Sequence, residues 1–551
     1  MSTVPPQRDR PPPGTTGGPV ESIEVPHGAV AWLYARTVAT TLAGSLFYLY
    51  LARVASLEIL GAAAVLQAFA TILSTSMSLG LGQGFTHFLA YHRARGEAAM
   101  ARSLIRTSYL TAALLSLAAV GVAVAISGEL SVLLFHSSAY GPSVAMVGAL
   151  AGLQTAILLL TGVLLGLQRY IPVSTVAILG NTAMFAFPIA LFTVWGTLQS
   201  IVIGWILGVL VWVVAAIVAI ERVTGATELF RARTGVLSAP SNRNLFAYSI
   251  PLVAALLITT STYYIDRLVL SSIANLTTVG VYNYAILFAT AAFFVANPFA
   301  SILNTRFSAL FGRSEWTHIR TTFRNSSTLI VLAFVPLALG AAALGPVLLR
   351  YVVGRAFVAA AIPLAALLGI SAVFITANVL FSLATGIRRT TTLLAASSCA
   401  LVGNASLSIL LVPHLGMLGA AIGNSAMFWA PFFVLRYSLR NTGLVEYDLR
   451  AILAIWVAAG AMAVLIGVPL LLLHYTPIYV PVFVALGVAV FLVLLRLLRA
   501  LPAETTDELN RQLPRWGSWL RPLICWVAVC AERPRVDRFR ELSSPAKVER
   551  R

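Results

Sequence analysis

Three ionisable side chains interrupt stretches of sequence that are otherwise apolar. Arg36 lies within the apolar run 30–52, and Asp266 and Arg267 lie late in the run 248–271. Ionisable groups in such surroundings are costly and are therefore functional candidates. A guanidinium that faces a cavity is suited to a phosphate or diphosphate, because it is permanently charged and presents paired N–H donors. Alternatively, Arg36 extends back to water at the nearby end of its run.

Asp266 and Arg267 need not pair, because adjacent residues of a helix project in different directions. We expect Asp266 to bind a coupling proton or sodium ion, or to pair with a cation across a cavity. The alternative for both residues is a structural ion pair near one end of the helix. We include Asp266 and Arg267 as candidates for ion coupling or cavity charge.

Uncharged polar residues complete the candidate binding set. Thr40 lies one turn after Arg36 and shares its helix face. The amides of Gln154, Asn181 and Asn297 suit sugar hydroxyls. Alternatively, these amides hydrogen-bond to neighbouring helices, which is their commoner use between apolar helices. The same two interpretations apply to three more amides, Asn378, Asn404 and Asn424.

No pattern for bond-breaking chemistry is present. The sequence has no Walker A motif, its histidines are scattered, and its three cysteines lack metal-ligand spacing. We therefore expect no catalytic residues, no metal and no cofactor, and a protein that is not an enzyme.

Helices that span a membrane must position these side chains. The chain has 551 residues, of which 59% are apolar and 10% charged, whereas soluble domains carry about 25% charged residues. A span needs roughly 20 apolar residues. We predict an all-α integral membrane fold with about fourteen spans, at 30–52, 59–81, 104–126, 144–166, 172–193, 200–220, 248–271, 280–303, 327–349, 360–384, 391–412, 417–438, 451–473 and 479–498.

Arginine placement predicts the orientation. Arginines cluster in alternate loops, and the opposite loops carry only Arg53, Arg350 and Arg355 near their ends. The positive-inside rule makes the Arg-rich loops and both termini cytoplasmic. The net charge of +18 comes from basic residues that recur between apolar runs, so we expect no nucleic-acid binding. Residues 1–28 are predicted to be a disordered cytoplasmic tail, and 499–551 a basic cytoplasmic tail with a candidate interfacial helix.

A long-range repeat indicates an internal duplication. At one constant offset, 51–71 matches 270–290, including the triplet Phe-Ala-Thr that ends both stretches. The loop pattern Arg-x-Glu-x4-Arg-x3-Arg occurs at 95–106 and again at 313–324. Copies six helices apart share one orientation, which predicts two pseudo-symmetric six-helix lobes around a central cavity. The predicted parts are an N-lobe (29–221), a cytoplasmic linker (222–247), a C-lobe (248–440) and two C-terminal helices (441–498).

The sequence resembles the polysaccharide-export flippases of the O-antigen type. The resemblance covers about residues 30–440 and includes the stretch 49–106, Asp266-Arg267, Gly280-x-Tyr282, LFGRSEW (310–316) and LVPHLGMLGAAIGNSAMF (411–428). That family belongs with multidrug extruders and lipid II flippases. The resemblance implies two six-helix bundles, often followed by two further helices. It implies flipping of a lipid-linked oligosaccharide on a polyprenyl phosphate or diphosphate carrier.

The expected function is therefore a plasma-membrane flippase that moves lipid-linked oligosaccharide to the outer leaflet by alternating access, for cell-surface polysaccharide or glycan biosynthesis. Expected partners are the lipid-linked glycan and membrane lipids, with glycan assembly enzymes as candidates. One alternative is an ion-coupled exporter of drugs or small amphiphiles. Another is a membrane-embedded polysaccharide polymerase or glycosyltransferase, which would require a large outer loop or an acidic motif.

Overall fold

A computed structural model describes residues 27–225, 240–293, 296–473 and 477–499, except for the side chains of 27–38, 240–244, 250–251, 296–298 and 301. Thirteen helices in this part of the chain are long and apolar enough to cross a membrane. Another long helix, α1 (His27–Val54), lies where the first span was predicted. The predicted all-α membrane fold of about fourteen spans is confirmed.

The N-lobe contains α1 and six further helices. The second predicted span, 59–81, is longer in the structure. A second helical segment follows a break at Leu79 and Gly80, which both have positive φ. Gln83 and His87 end the apolar run, but the segment after the break, α3 (Leu81–Ala94), still packs against α5 (Gly141–Gly166), with Gly82 close to the backbone of Leu158. The further helices are α2 (Leu57–Met77), α3 (Leu81–Ala94), α4 (Ala98–Phe135), α5 (Gly141–Gly166), α6 (Tyr170–Trp195) and α7 (Leu198–Thr224).

The C-lobe repeats this plan with more breaks. The spans predicted at 360–384 and 417–438 are each two helices, interrupted near Thr376 and at Ser425. The helices of this lobe are α8 (Pro240–Ile273), α9 (Leu276–Phe293), α10 (Ala296–Gly312), α11 (Trp316–Leu348), α12 (Ala361–Val373), α13 (Ala377–Gly386), α14 (Thr390–Leu415), α15 (Met417–Asn424) and α16 (Ala426–Leu439). Two final helices follow, α17 (Leu449–Leu472), which packs against α11, and α18 (Val480–Leu497).

Backbone geometry supports the duplication independently of side-chain identity. The residue between Arg and Glu of the repeated loop is left-handed in both copies, at Gly96 (φ 73°) and Ser314 (φ 58°). The turn after the fourth span of each lobe repeats as well, with Gln168 at φ 56° and Arg388 at φ 59°. Positive φ is uncommon outside glycine, so its recurrence at matched positions indicates that the two lobes share one ancestral fold.

The bundle has two chemically different ends. The Arg-rich end contains the junctions α3/α4, α5/α6, α10/α11, α13/α14 and α16/α17, and the Arg-poor end contains α1/α2, α4/α5, α6/α7, α8/α9, α11/α12 and α14/α15. The lobes meet along α2, which packs against both α8 and α9. The predicted bounds of the lobes and of 441–498 stay predictions. Nearly all of the two predicted tails, and most of the linker 222–247, lie outside the described residues.

Candidate substrate cavity

A cavity of about 520 Å³ lies where the C-lobe faces the N-lobe. Helices α8 and α9 form one side, the broken spans α12/α13 and α15/α16 form another, and Thr71 of α2 is contributed by the N-lobe. The lining is rich in hydroxyl, amide and aromatic groups and contains Thr71, Thr259, Thr260, Tyr263, Tyr264, Arg267, Ile286, Ala289, Thr290, Phe293, Leu367, Asn378, Asn424, Met427 and Phe428.

The duplication places two equivalent threonines on this cavity. Thr71 and Thr290 end the repeated Phe-Ala-Thr triplet of α2 and α9, and both line the cavity. The Thr71 hydroxyl donates to the Gln67 carbonyl oxygen at 2.8 Å. Gln67 Nε2 donates back to the Thr71 hydroxyl oxygen at 3.4 Å, which leaves one further lone pair for a ligand hydroxyl. The cavity is therefore formed mainly by the C-lobe and reaches the N-lobe at Thr71.

Helix breaks bring two amides to the cavity wall. Asn424 is the last residue of α15, immediately before the break at Ser425. Asn378 follows the break near Thr376, and its Nδ2 donates to the Ile375 carbonyl oxygen at 3.2 Å. Discontinuous helices at a lobe interface are typical of substrate sites in transporters. A neighbouring cavity of about 240 Å³ shares Thr259, Tyr263, Asn378, Met427 and Phe428 and extends this space within the C-lobe.

Arg267 supplies the charge of the cavity. Its guanidinium carbon lies 5.1 Å from the centre of the Tyr264 ring, within the range of a cation–π contact. The Nε atom is buried and has no hydrogen-bond partner among the described residues. No carboxylate is among the lining residues. The charge that the described lining itself supplies is therefore positive.

Asp266 has a different environment from its neighbour. It is completely buried and does not line the cavity. The Tyr282 hydroxyl donates to its Oδ2 at 2.6 Å, whereas Oδ1 is buried with no described partner. Asp266 and Arg267 thus face different surroundings, as their adjacency on one helix predicted.

The remaining predicted residues do not line these two cavities where their side chains are described. Asn181 donates to the Ala177 carbonyl oxygen of its own helix at 2.9 Å. Gln154 is half-buried and its Oε1 has no described partner. Thr40 is half-buried and engaged in a further interaction. The backbones of Arg36 and Asn297 lie in α1 and α10, but their side chains lie outside the described residues.

Sequence reasoning missed most of the hydroxyl-bearing lining. The run Thr-Thr-Ser-Thr-Tyr-Tyr at 259–264 is unusually polar for a span and could have indicated these residues. The amides of Asn378 and Asn424 were recognised, but their position at helix breaks was not. In the described part of the chain, no group of three or more His, Cys, Asp or Glu could hold a metal ion.

The two lobes are joined at the Arg-poor end. The Arg53 guanidinium, at the end of α1, donates to the carbonyl oxygens of Tyr351 at 3.1 Å and Val352 at 2.8 Å. Both acceptors belong to the π-helical turn Leu349–Val353 that follows α11. The Tyr284 hydroxyl of α9 donates to the Tyr48 carbonyl oxygen of α1 at 2.6 Å. These contacts close the Arg-poor end between the lobes.

Comparisons with known proteins agree with this architecture. The model of the family described as polysaccharide biosynthesis protein matches residues 29–311, just over half of the chain. No curated protein sequence gave a significant match.

Similar solved structures are transporters of low sequence identity. The lipid II flippase MurJ in an inward closed conformation superposes with a TM-score of 0.65 at 15% identity, over 84% of this chain and 98% of that one. An inward-facing multidrug resistance MATE family transporter of the MOP superfamily gives 0.63 at 13% identity, over 76% and 98%. The chain belongs to the polysaccharide biosynthesis protein family and shares the fold of these two transporter structures, as the sequence resemblance implied.

Proposed function

We propose that this protein flips a lipid-linked oligosaccharide, on a polyprenyl phosphate or diphosphate carrier, from the inner to the outer leaflet for cell-surface polysaccharide or glycan biosynthesis. The observation that carries the proposal is the composition of the 520 Å³ cavity, which combines hydroxyls, amides and aromatic faces with Arg267 and no carboxylate. The family match to polysaccharide biosynthesis proteins supports the same substrate class.

The cavity chemistry fits a glycan head group. Sugar hydroxyls both donate and accept hydrogen bonds. The threonine and tyrosine hydroxyls and the two asparagine amides of the cavity can do the same, so each can pair with a sugar hydroxyl in either direction. Aromatic faces such as Tyr263 and Phe428 can cover the apolar faces of sugar rings. Arg267 adds attraction for an anionic group. The prenyl chain would remain in lipid while the head group occupies the cavity.

Alternating access supplies the movement between leaflets. The closed contacts between the lobes lie at the Arg-poor end, and the positive-inside rule makes this end the outer one. The head group would enter from the cytoplasmic, Arg-rich end, where Arg36 and Thr40 of α1 are candidates for the first phosphate contacts. Rocking of the lobes would then expose the cavity outwards. Asp266, buried beside Tyr282, is the candidate for ion coupling. Both termini would be cytoplasmic, in the plasma membrane.

The structural likeness to multidrug transporters favours a second candidate function, the ion-coupled export of drugs or small amphiphiles. Such substrates are commonly cationic and require a carboxylate in the cavity. The described lining contains none, and the carboxylate of Asp266 lies away from it. The lipid-linked glycan is therefore the better match to the charge of this site.

A deletion-and-rescue experiment tests the proposal. In cells lacking the gene, labelled lipid-linked glycans are probed for exposure on the outer leaflet, with rescue by wild type, Arg36→Ala, Arg267→Gln or Asp266→Asn. Arg355→Gln is the matched control, because Arg355 is exposed and outside the cavity lining. We expect wild type and the control to restore exposure, and Arg267→Gln to reduce it at least tenfold.

Two results would contradict the proposal. Normal glycan exposure in the deletion strain, with no second flippase present, would show that this protein does not flip the lipid-linked oligosaccharide. Accumulation of cationic dyes in the same strain, reversed by wild type and unaffected by Arg267→Gln, would assign the protein to drug export instead.

A further inference from the structure

A second, larger cavity, separate from the substrate cavity, lies on the exposed surface of the N-lobe. It is a groove of about 720 Å³ between α6 and α7, lined from Ile171 to Leu179 on one helix and from Leu210 to Val223 on the other. Its walls are exposed aliphatic side chains, and the small side chains of Ala215 and Ala219 are half-buried along it. Nothing in the proposed transport route uses this surface.

The groove has the length of one leaflet. Leu210 and Val223 mark its two ends on α7 and are thirteen residues apart, which corresponds to about 20 Å along a helix. The hydrocarbon core of a bilayer is about 30 Å thick, so one leaflet contributes about half of that. The groove begins near the middle of α7 and ends at the Arg-rich end of the bundle.

Two guanidiniums stand at the Arg-rich end of the groove. Arg222 lines it from the last turn of α7, and Arg169 immediately precedes α6, two residues before Ile171. Both are exposed, and neither makes an ion pair with a side chain that the structure describes. Basic residues at this depth attract anionic head groups, whereas the rest of the lining is almost wholly apolar.

We propose that this groove is a binding site for an anionic phospholipid of the leaflet at the Arg-rich end. One acyl chain lies in the groove along Ala215 and Ala219, and the phosphate lies against Arg222 with Arg169 beside it. The proposal does not depend on the transported substrate. A second copy of this chain would cover apolar surface but would bring no anion to the arginines. The substrate's prenyl chain would follow a head group that occupies a cavity formed mainly by the C-lobe.

Lipid retention tests the site. The purified full-length protein is stripped of bulk lipid in mild detergent and titrated with phosphatidylglycerol or phosphatidylcholine of identical chains, with bound lipid counted by native mass spectrometry. Arg222→Gln and Arg169→Gln remove the charges, and Ala219→Phe fills the groove. Arg389→Gln is the charge control, because Arg389 is the repeat counterpart of Arg169 in the other lobe. Val464→Phe, on an exposed face of α17, is the bulk control.

We expect one phosphatidylglycerol to bind wild type in preference to phosphatidylcholine. Each arginine substitution should weaken phosphatidylglycerol about fivefold, the effect of about 1 kcal/mol per basic residue at an anionic surface. Ala219→Phe should weaken both lipids, and the controls neither. Equal affinity of wild type for the two lipids, or unchanged binding in all groove variants, would overturn the proposal. So would tighter binding of a polyprenyl phosphate at this site, or a dimer that excludes lipid from it.

Discussion

Gly61 and Gly280 are repeat counterparts that face each other where the two lobes meet. A Cβ atom on Gly61 would lie 1.9 Å from the Leu276 carbonyl oxygen, and one on Gly280 would lie 2.3 Å from the Leu57 carbonyl oxygen. Leu57 and Leu276 are themselves repeat counterparts. The contact is therefore reciprocal, as expected where a pseudo-twofold axis passes between α2 and α9. Only glycine allows the two backbones to approach this closely.

Gly61→Ala and Gly280→Ala should force the lobes apart at the Arg-poor end. Overpacking of this kind costs about 1–3 kcal/mol, so we expect a lower melting temperature for each variant. Spin labels at Val54 and Ile273, which are exposed repeat counterparts, should show longer distances in a background with Cys399, Cys525 and Cys530 replaced. Gly460→Ala is the control, because nothing lies within 4 Å of its added Cβ. An unchanged distance distribution would show that this contact does not hold the closed end together.

Arg53 should stabilise the closed Arg-poor end. Arg53→Gln removes the guanidinium donors to the Tyr351 and Val352 carbonyls, and an exposed contact of this type is worth about 1 kcal/mol. The open population should then rise about fivefold. The measurement is the alkylation rate of a cysteine introduced at buried Val281, in the same cysteine-replaced background. Arg355→Gln should leave the alkylation rate unchanged. An equal acceleration in both variants would show that Arg53 has no specific role in holding this end closed.

The hydrogen bond from the Tyr282 hydroxyl to the buried Asp266 carboxyl should stabilise the folded protein. Tyr282→Phe deletes the donor at 2.6 Å and leaves a buried acceptor without it, which costs about 1–3 kcal/mol. Asp266→Asn keeps an acceptor oxygen for the same hydroxyl and should be milder. Melting temperatures of the two single variants and of the double variant together give the interaction free energy between the two side chains. Additive losses would mean that the two groups do not depend on each other.

The repeated loop should make a small, pH-dependent contribution to stability. His92 and Arg95 contact the Glu97 carboxylate at 2.5 and 2.9 Å, and the hydrogen bond from His92, followed by the charge of Arg95, lowers the pKa of Glu97. A lowered carboxyl pKa stabilises the folded state above the unfolded pKa of about 4.3, and the effect is lost as the pH falls through the folded value.

Glu97→Gln should therefore melt slightly below wild type at pH 7, and the difference should shrink as the pH falls below about 4.3. The expected difference is small because the group is exposed. Glu315→Gln is the matched control in the other copy, where the contacts to His318 and Arg313 are longer, at 3.3 and 4.0 Å. A deficit in Glu97→Gln that persists unchanged at pH 3 would contradict this account.

The sequence by itself determined the membrane class, the approximate number of spans and the duplication. Apolar length is a local property of the chain, so the runs around α4, α7 and α11 could be located without knowledge of their neighbours. The repeated loop was visible because charged residues are rare enough in this chain for a spaced match to be informative. The structure confirmed this repeat down to the matched positive φ angles of Gly96 and Ser314.

The tertiary structure alone decided which polar groups share a cavity. Arg267 faces it and Asp266 does not, although they are neighbours in sequence, and Asn181 turns back to its own helix. Thr71 and Thr290 meet at the cavity only because α2 and α9 belong to different lobes that pack together. The rotation of a helix about its axis and the site of its breaks depend on packing against neighbouring helices rather than on its own hydrophobicity. For this reason the sequence could name candidate polar residues, whereas their assembly into a site required the fold.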